Sequence, residues 1–222
     1  MKAKVFIVDD HPLLRQGLAQ LINQEDDMSC VGEAEDSQTA LQGIEKLKPD
    51  VAIVDISLNG SSGIELTKDL LAKDPKVTVL MLSMYDESVY LERSLKAGAK
   101  GYLMKREATE HVITAIHAVL AGKIYVSDRW RQKLMSMYGK WGTAVAVSPV
   151  ERLSDRELEV LQLTGQGFTT RHIAENLHVS VKTVESHYAN IKEKLDLKNL
   201  HELIQYSVKW TLSEQWSKEI PH

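Results

Sequence analysis

Val5-Phe6-Ile7-Val8-Asp9-Asp10-His11-Pro12 passes within eight residues from an unbroken apolar run, through two acids, to a proline. An apolar run without alternation is how a strand buried on both faces of a parallel sheet reads. Pro12 suits a first helical turn, and Leu13, Leu14, Gly17, Leu18, Leu21 and Ile22 follow at helical spacing. The same succession recurs outward. Val51 to Val54 and Val77 to Leu82 are further apolar runs, with weaker strands at Ser29 to Ala34 and Gly101 to Met104. Helical patterns lie between and after them, built on Leu41, Ile44 and Leu47, on Ile64, Leu66, Leu70 and Leu71, on Val89, Leu91 and Leu95, and on Val112, Ile113, Ile116, Val119 and Leu120. Five β-then-α units in residues 1–122 predict an open, doubly wound α/β domain with five parallel strands in the order 2-1-3-4-5.

That domain uses little more than half of 222 residues. A chain above the usual ~100–150 residues of one domain implies two. Residues 123–150 lose the period and carry Trp130, Gly139, Trp141, Gly142 and Pro149, which reads as a linker with one helix near Asp128 to Tyr138. From Ser154 the strand signals vanish and four short helical patterns follow, Ser154 to Thr164, Thr170 to Leu177, Val181 to Leu195 and Leu200 to Trp210, so 151–222 reads as a small all-helical domain. With 43% hydrophobic and 26% charged residues, and few Gly and Pro, wholesale disorder and fibrous repeats are excluded. No apolar run approaches the ~20 residues that span a bilayer. The amino end lacks the apolar core of a signal peptide, so a cytoplasmic location and no membrane partner are expected. The lone Cys30 cannot form an internal disulfide and reads as a buried strand residue. Net charge is −4; residues 1–125 contribute −5, 126–147 +3 and 148–222 −2, so no segment is a strongly basic nucleic-acid footprint.

In a doubly wound sheet, functional residues collect at the carboxyl ends of strands where strand order reverses. Asp9 and Asp10 follow the first strand, Asp55 ends the third, and the order 2-1-3-4-5 makes those strands neighbours. Three carboxylates in one cleft need a cation, and hard oxygen ligands suit Mg²⁺, with Asp10 and Asp55 as its direct ligands. Ser83 ends the fourth strand and Lys105 the fifth, a hydroxyl and an ammonium for phosphoryl oxygens. The set fits a carboxylate, Asp55, that accepts a phosphoryl group. Asp10 alone could be a helix cap and Lys105 alone a solvated lysine; a second acid at Asp9 and the common strand end argue against both. An FMN site would want a phosphate loop after the first strand, and a haloacid-dehalogenase phosphatase two acids spaced by one residue. Neither pattern is present.

Val8-Asp9-Asp10-His11-Pro12, Val54-Asp55-Ile56, Leu82-Ser83 and Gly101-Tyr102-Leu103-Met104-Lys105 together resemble the receiver domain of two-component response regulators, over about residues 1–122. The resemblance implies that Asp55 takes a phosphoryl group from a histidine kinase, that Asp9, Asp10, Asp55 and the Ser57 carbonyl surround Mg²⁺, and that Ser83 and Tyr102 form a switch pair reshaping the fourth helix, fifth strand and fifth helix. Asn59 and Arg106 stand where the family often has prolines, and Gly63 keeps the usual glycine; the loop after Asp55 is expected to differ modestly. Tyr85, two residues after Ser83, reads as a shield over the site.

In the second domain Ser154 with Glu157 forms a capping box, and Gly165 with Gly167 ends that helix. Thr170 to Leu177, the turn His178-Val179-Ser180 and a helix bearing Val184, Ile191 and Leu195 make a helix-turn-helix pattern. Leu153-Ser154, Arg156-Glu157, Glu159-Val160-Leu161, Ile173-Ala174, Val179-Ser180, Lys182-Thr183-Val184 and His187 closely resemble the LuxR-type DNA-binding domain, and its pairing with a receiver marks the NarL/FixJ branch. That implies a recognition helix Val181 to Leu195, with Glu185, Ser186 and Ala189 nearest base edges and Lys182, Thr183, His187, Tyr188, Lys192 and Lys194 facing phosphates. Leu200, Leu203, Ile204, Val208 and Trp210 read mostly as core, part of them as a dimer seam. The expected protein is a transcriptional regulator and not an enzyme beyond its own phosphotransfer, with a histidine kinase, operator DNA and a second copy on activation as partners, and RNA polymerase as a further candidate. A receiver whose helical domain docks a protein is the rival, and a metabolic enzyme ranks third.

Overall fold

The computed structural model describes residues 2–58, 60–85, 87–128, 130–132 and 149–216, with backbone alone for 213–216. The chain divides into two compact units, one ending at Gly142 and the other starting at Thr143.

In the first unit β1 (Ala3–Val8), β2 (Met28–Ala34), β3 (Val51–Asp55), β4 (Thr78–Ser83) and β5 (Gly101–Met104) form one parallel sheet in the order β2-β1-β3-β4-β5, as expected. Each strand is followed by a helix: α1 (Pro12–Gln24), α2 (Ser37–Leu47), α3 (Gly63–Lys73), α4 (Glu87–Lys96) and α5 (Ala108–Leu120). Val5, Ile7, Val51, Ile53, Leu80 and Leu82 line the face that meets Leu18 and Ile22 of α1 and Val112, Ile116 and Val119 of α5. The alternate residues point the other way. There the Phe6 ring lies against Gly43 of α2, and the Thr67 hydroxyl of α3 donates to Met81 Sδ. Both sheet faces are covered, which is why the inner strands carry no polar alternation.

Between β3 and α3 lies an antiparallel pair, Ser57–Leu58 with Ser61–Ser62, too short to leave a periodic signal. It returns the chain so that the Gly63 amide donates to Ile56 O at 2.7 Å. A Cβ at Gly63 would stand 1.8 Å from the Asp55 carbonyl oxygen, so only glycine lets α3 start this close to β3. Asn59 lies outside the described residues.

The second unit comprises α6 (Asp155–Gly165), α7 (Thr170–Asn176), α8 (Val181–Leu195) and α9 (Leu200–Trp216). The capping box of Ser154 and Glu157 is present, and Ser180 caps α8 through the Thr183 amide. Leu158, Leu161, Ile173, Leu177, Val184, Ile191 and Leu203 form the core.

Three expectations change. Cys30 is half-buried, because β2 is the edge strand of the sheet. The stripe on α9 is mostly outside the core: α9 packs on α6 and α8 through Leu203, Ser207 and Thr211, leaving Leu200, Ile204, Val208 and Leu212 exposed and Trp210 half-covered. That helix also continues to Trp216, past the reading that ended it at Trp210. The expected helix at Asp128 to Tyr138 lies largely outside the described residues, as do Gly139, Trp141 and Gly142; Asp128 and residues 130–132 are helical. Among the described residues no helix is long and apolar enough to cross a membrane.

Candidate functional site

β1 and β3 are hydrogen-bonded neighbours in register from Val5 with Val51 to Val8 with Val54, so the residues that end them meet at one sheet edge. β2 lies on the other side of β1, which makes this the point where strand order reverses. Asp9 and Asp55 are buried, Asp10 is half-buried, and one ligand atom from each of Asp9, Asp10, His11 and Asp55 lies within 4.8 Å of the others. Lys105, following β5, reaches across β4's end and sets its ammonium 2.6 Å from Asp55 Oδ2 and 2.8 Å from Asp9 Oδ2.

Burial pushes the Asp55 carboxyl well above the usual carboxylate range, and Asp9 and Asp10 push the same way against the Lys105 ammonium. Burial alone would lower the Lys105 ammonium, but Asp55 and Asp9 outweigh it and the group is raised. One ammonium among three carboxylates leaves the cluster net negative. That donor set, three carboxylates converging in a partly closed cleft, fits a small hard divalent cation such as Mg²⁺.

Ser83, at the end of β4, is fully buried, and its hydroxyl accepts from the Tyr85 amide at 2.9 Å. Tyr102 is buried as well, its hydroxyl donating to the Tyr85 carbonyl at 2.8 Å. Tyr85 stacks on Tyr90 of α4 with ring centroids 5.0 Å apart, and its hydroxyl lies 3.4 Å from Ser57 Oγ. The Ser57 amide lies 3.4 Å from Asp55 Oδ1. Arg106, beside Lys105, is exposed and pairs with Glu107. Sequence reasoning overlooked His11, whose Nδ1 is 2.6 Å from Asp10 Oδ1 and 3.2 Å from Asp9 Oδ1, and Arg15, which donates to the Asp9 carbonyl at 2.5 Å. Adjacency to the acids and the four-residue step along α1 were the available signals.

In the helical unit Thr169 caps α7, and the turn Leu177 to Ser180 leads into α8 with His178 at φ +51°. Arg156 holds that turn: one guanidinium nitrogen donates to Glu159 at 2.7 Å and another to the Leu177 carbonyl at 2.6 Å. Along α8, Lys182, Glu185, Ser186 and Ala189 are exposed on one face, with Thr183, His187 and Lys192 half-buried at its margins. Tyr188, expected to face phosphates, is only 7% exposed, with its hydroxyl 3.3 Å from Thr164 Oγ1. Lys194 carries an ion pair, its ammonium 2.6 Å from Glu157 Oε2. Burial, with the positive charges of Arg156 and Lys194, lowers the His187 imidazole despite the opposing charge of Glu157, which favours its neutral form.

A family model described as response regulator receiver domain matches residues 5–117, and one described as bacterial regulatory proteins, luxR family, matches residues 151–207. The chain is 38% identical to the oxygen regulatory protein NreC of Staphylococcus epidermidis, across 95% of this chain and 99% of that protein. Among solved structures, RcsB of Salmonella enterica serovar Typhimurium bound to promoter DNA in the presence of phosphomimetic BeF3- is similar over 93% of this chain and 98% of that one, with TM-score 0.61 and 28% identity. A LuxR-family two-component response regulator from an Aurantimonas species aligns with 63% of this chain and 100% of its own, with TM-score 0.58 and 30% identity. Receiver topology, helix-turn-helix unit and near full-length similarity coincide, and the chain belongs to the NarL/FixJ branch of two-component response regulators, DNA-binding transcriptional regulators of the LuxR type.

Proposed function

We propose that this protein is a cytoplasmic transcriptional regulator switched by phosphorylation of Asp55, with residues 1–122 as receiver, 123–150 as linker and 151–222 as the DNA-binding domain. The observation that carries the reading is the Lys105 ammonium held 2.6 Å from Asp55 beside two further acids. An Asp55 oxygen attacks the phosphorus of a phosphohistidine on the kinase; the new O–P bond forms as the N–P bond breaks and the imidazole leaves. Lys105 offsets the charge that gathers on the phosphoryl oxygens. Asp9, Asp10, Asp55 and the Ser57 carbonyl would hold Mg²⁺, which when bound supplies further neutralisation of those oxygens. The chemistry modifies Asp55 itself and turns over no external substrate.

Ser83 is the hydroxyl that follows the phosphoryl group, drawn from the Tyr85 amide it now accepts from, and Tyr102, joined to the Tyr85 carbonyl, moves with that loop. The output is a homodimer, for which Leu200, Ile204, Val208 and Leu212 on α9 offer a self-complementary apolar seam. On operator DNA the exposed face of α8 enters the major groove, Glu185, Ser186 and Ala189 toward bases and Lys182, Thr183, His187 and Lys192 toward phosphates. Tyr188 supports the helix from beneath, and Lys194 reaches phosphate only by leaving Glu157. A histidine kinase and, on the DNA-bound dimer, RNA polymerase complete the partners. Retention of a random double-stranded DNA pool, measured with and without beryllofluoride and Mg²⁺, tests the reading. Wild type is expected to gain about tenfold, and Asp55→Asn nothing; equal gain in both contradicts it.

A further inference from the structure

The chain does not leave the sheet at the end of α5. Tyr125 runs parallel to β5 and bridges Gly101: its amide donates to the Lys100 carbonyl at 3.0 Å, and its carbonyl accepts the Tyr102 amide at 2.8 Å. This bridge covers the start of the otherwise open edge of β5, and Val126 beside it is buried. The next residue is fastened to a different element. Glu87, the first residue of α4 and itself buried, takes the Ser127 amide on Oε1 at 2.9 Å and the Ser127 hydroxyl on Oε2. Gly101 sits close under this segment: a Cβ there would stand 2.8 Å from Leu80 Cδ1, 3.0 Å from Tyr125 Cβ and 3.1 Å from the Tyr125 carbonyl oxygen.

Residues 125–127 are therefore tied to Tyr102 through the backbone and to the start of α4 through a carboxylate. Both ties end on the segment that runs from Ser83 through Tyr85 to Glu87, because the Tyr102 hydroxyl is itself bonded to the Tyr85 carbonyl. We propose that residues 125–127 act as a strap that carries displacement of the β4–α4 loop into the chain beyond α5, with Glu87 and Ser127 as the coupling pair. This rests on the reading of Asp55 as phosphoacceptor. Bonds from two hydrogens to one buried carboxylate are of the charge-assisted kind and stronger than ordinary ones. A loop that moves by more than hydrogen-bond slack must either drag Ser127 with it or release it.

Hydrogen exchange of the full-length chain, with and without Mg²⁺ and beryllofluoride, tests this in wild type, Glu87→Gln and Ser127→Ala. In wild type, exchange is expected to change on binding both in residues 83–90 and in residues 124–128. In both variants the change at 83–90 persists and that at 124–128 is lost, while unliganded exchange around Ser127 is about tenfold faster. An unchanged response at 124–128 in variants whose 83–90 still responds overturns the coupling. No response at 83–90 in wild type overturns the phosphoacceptor reading, and the strap with it.

Discussion

The Lys105 ammonium stands 2.6 Å from Asp55 Oδ2, an ion pair buried at the ends of β5 and β3. The same ammonium lies 2.8 Å from Asp9 Oδ2, so it bridges two of the three carboxylates of the cleft and leaves them incompletely neutralised.

Asp55→Asn is accordingly expected to stabilise the protein in the absence of Mg²⁺. Burial and two neighbouring carboxylates raise the Asp55 group in the folded state, so ionising it costs folding energy once the pH climbs past its unfolded value. The variant should be more stable at neutral pH, on the order of 1 kcal/mol, and the advantage should shrink as acid protonates Asp55 in both states. Urea melts from pH 7 to pH 4 check this; a variant less stable than wild type throughout contradicts it.

Gly63→Ala pushes a methyl group into the Asp55 carbonyl oxygen. Backbone cannot yield as a flexible side chain does, so a loss of about 2–4 kcal/mol is expected. Thermal melting measures it, and a loss below half a unit would mean that α3 can retreat from β3.

The Glu157 carboxylate is raised by burial but lowered more by the Lys194 ammonium and the Ser154 amide and hydroxyl, for a net depression. A depressed carboxyl stabilises the fold above its unfolded value and loses that contribution as the pH falls through the folded one. Glu157→Gln should therefore cost about 1–2 kcal/mol at pH 7 and progressively less toward pH 3. Denaturant melts of the helical unit's transition in the full chain decide it; a pH-independent cost would assign the loss to packing alone.

Lys182 is exposed, whereas Lys194 pairs with Glu157. Lys182→Ala should lower the salt slope of double-stranded DNA binding by about one, the release of one phosphate contact. Lys194→Ala should change the slope by less and reduce stability more. Equal slope changes would show that the Glu157 pair opens freely on DNA.

Much of this architecture was legible in the sequence because it rests on periodicity. Unalternating strands such as Val51 to Val54 and helical repeats such as Val112, Ile116 and Val119 report two covered sheet faces directly, and paired acids after one of those strands locate the cleft. What escaped depends on side chains meeting across long separations. The bond of Glu87 to Ser127, the reach of Lys194 to Glu157 and the clamp of Arg156 on Leu177 join residues 21 to 40 positions apart, which periodicity within one stretch does not report. Tyr188 is a different case: its fourfold spacing from Val184 already put it on the buried side, and Thr164 opposite its hydroxyl accommodates the polar tip there.

The proposed switch depends on Mg²⁺-assisted transfer of a phosphoryl group to Asp55. Intact mass after incubation with acetyl phosphate tests it most directly. Wild type with Mg²⁺ should gain the mass of one phosphoryl group, wild type in EDTA little, and Asp55→Asn none, with dimer forming in sedimentation only in the modified sample. A folded wild-type chain that stays unmodified, or a gain retained in Asp55→Asn, would contradict the account.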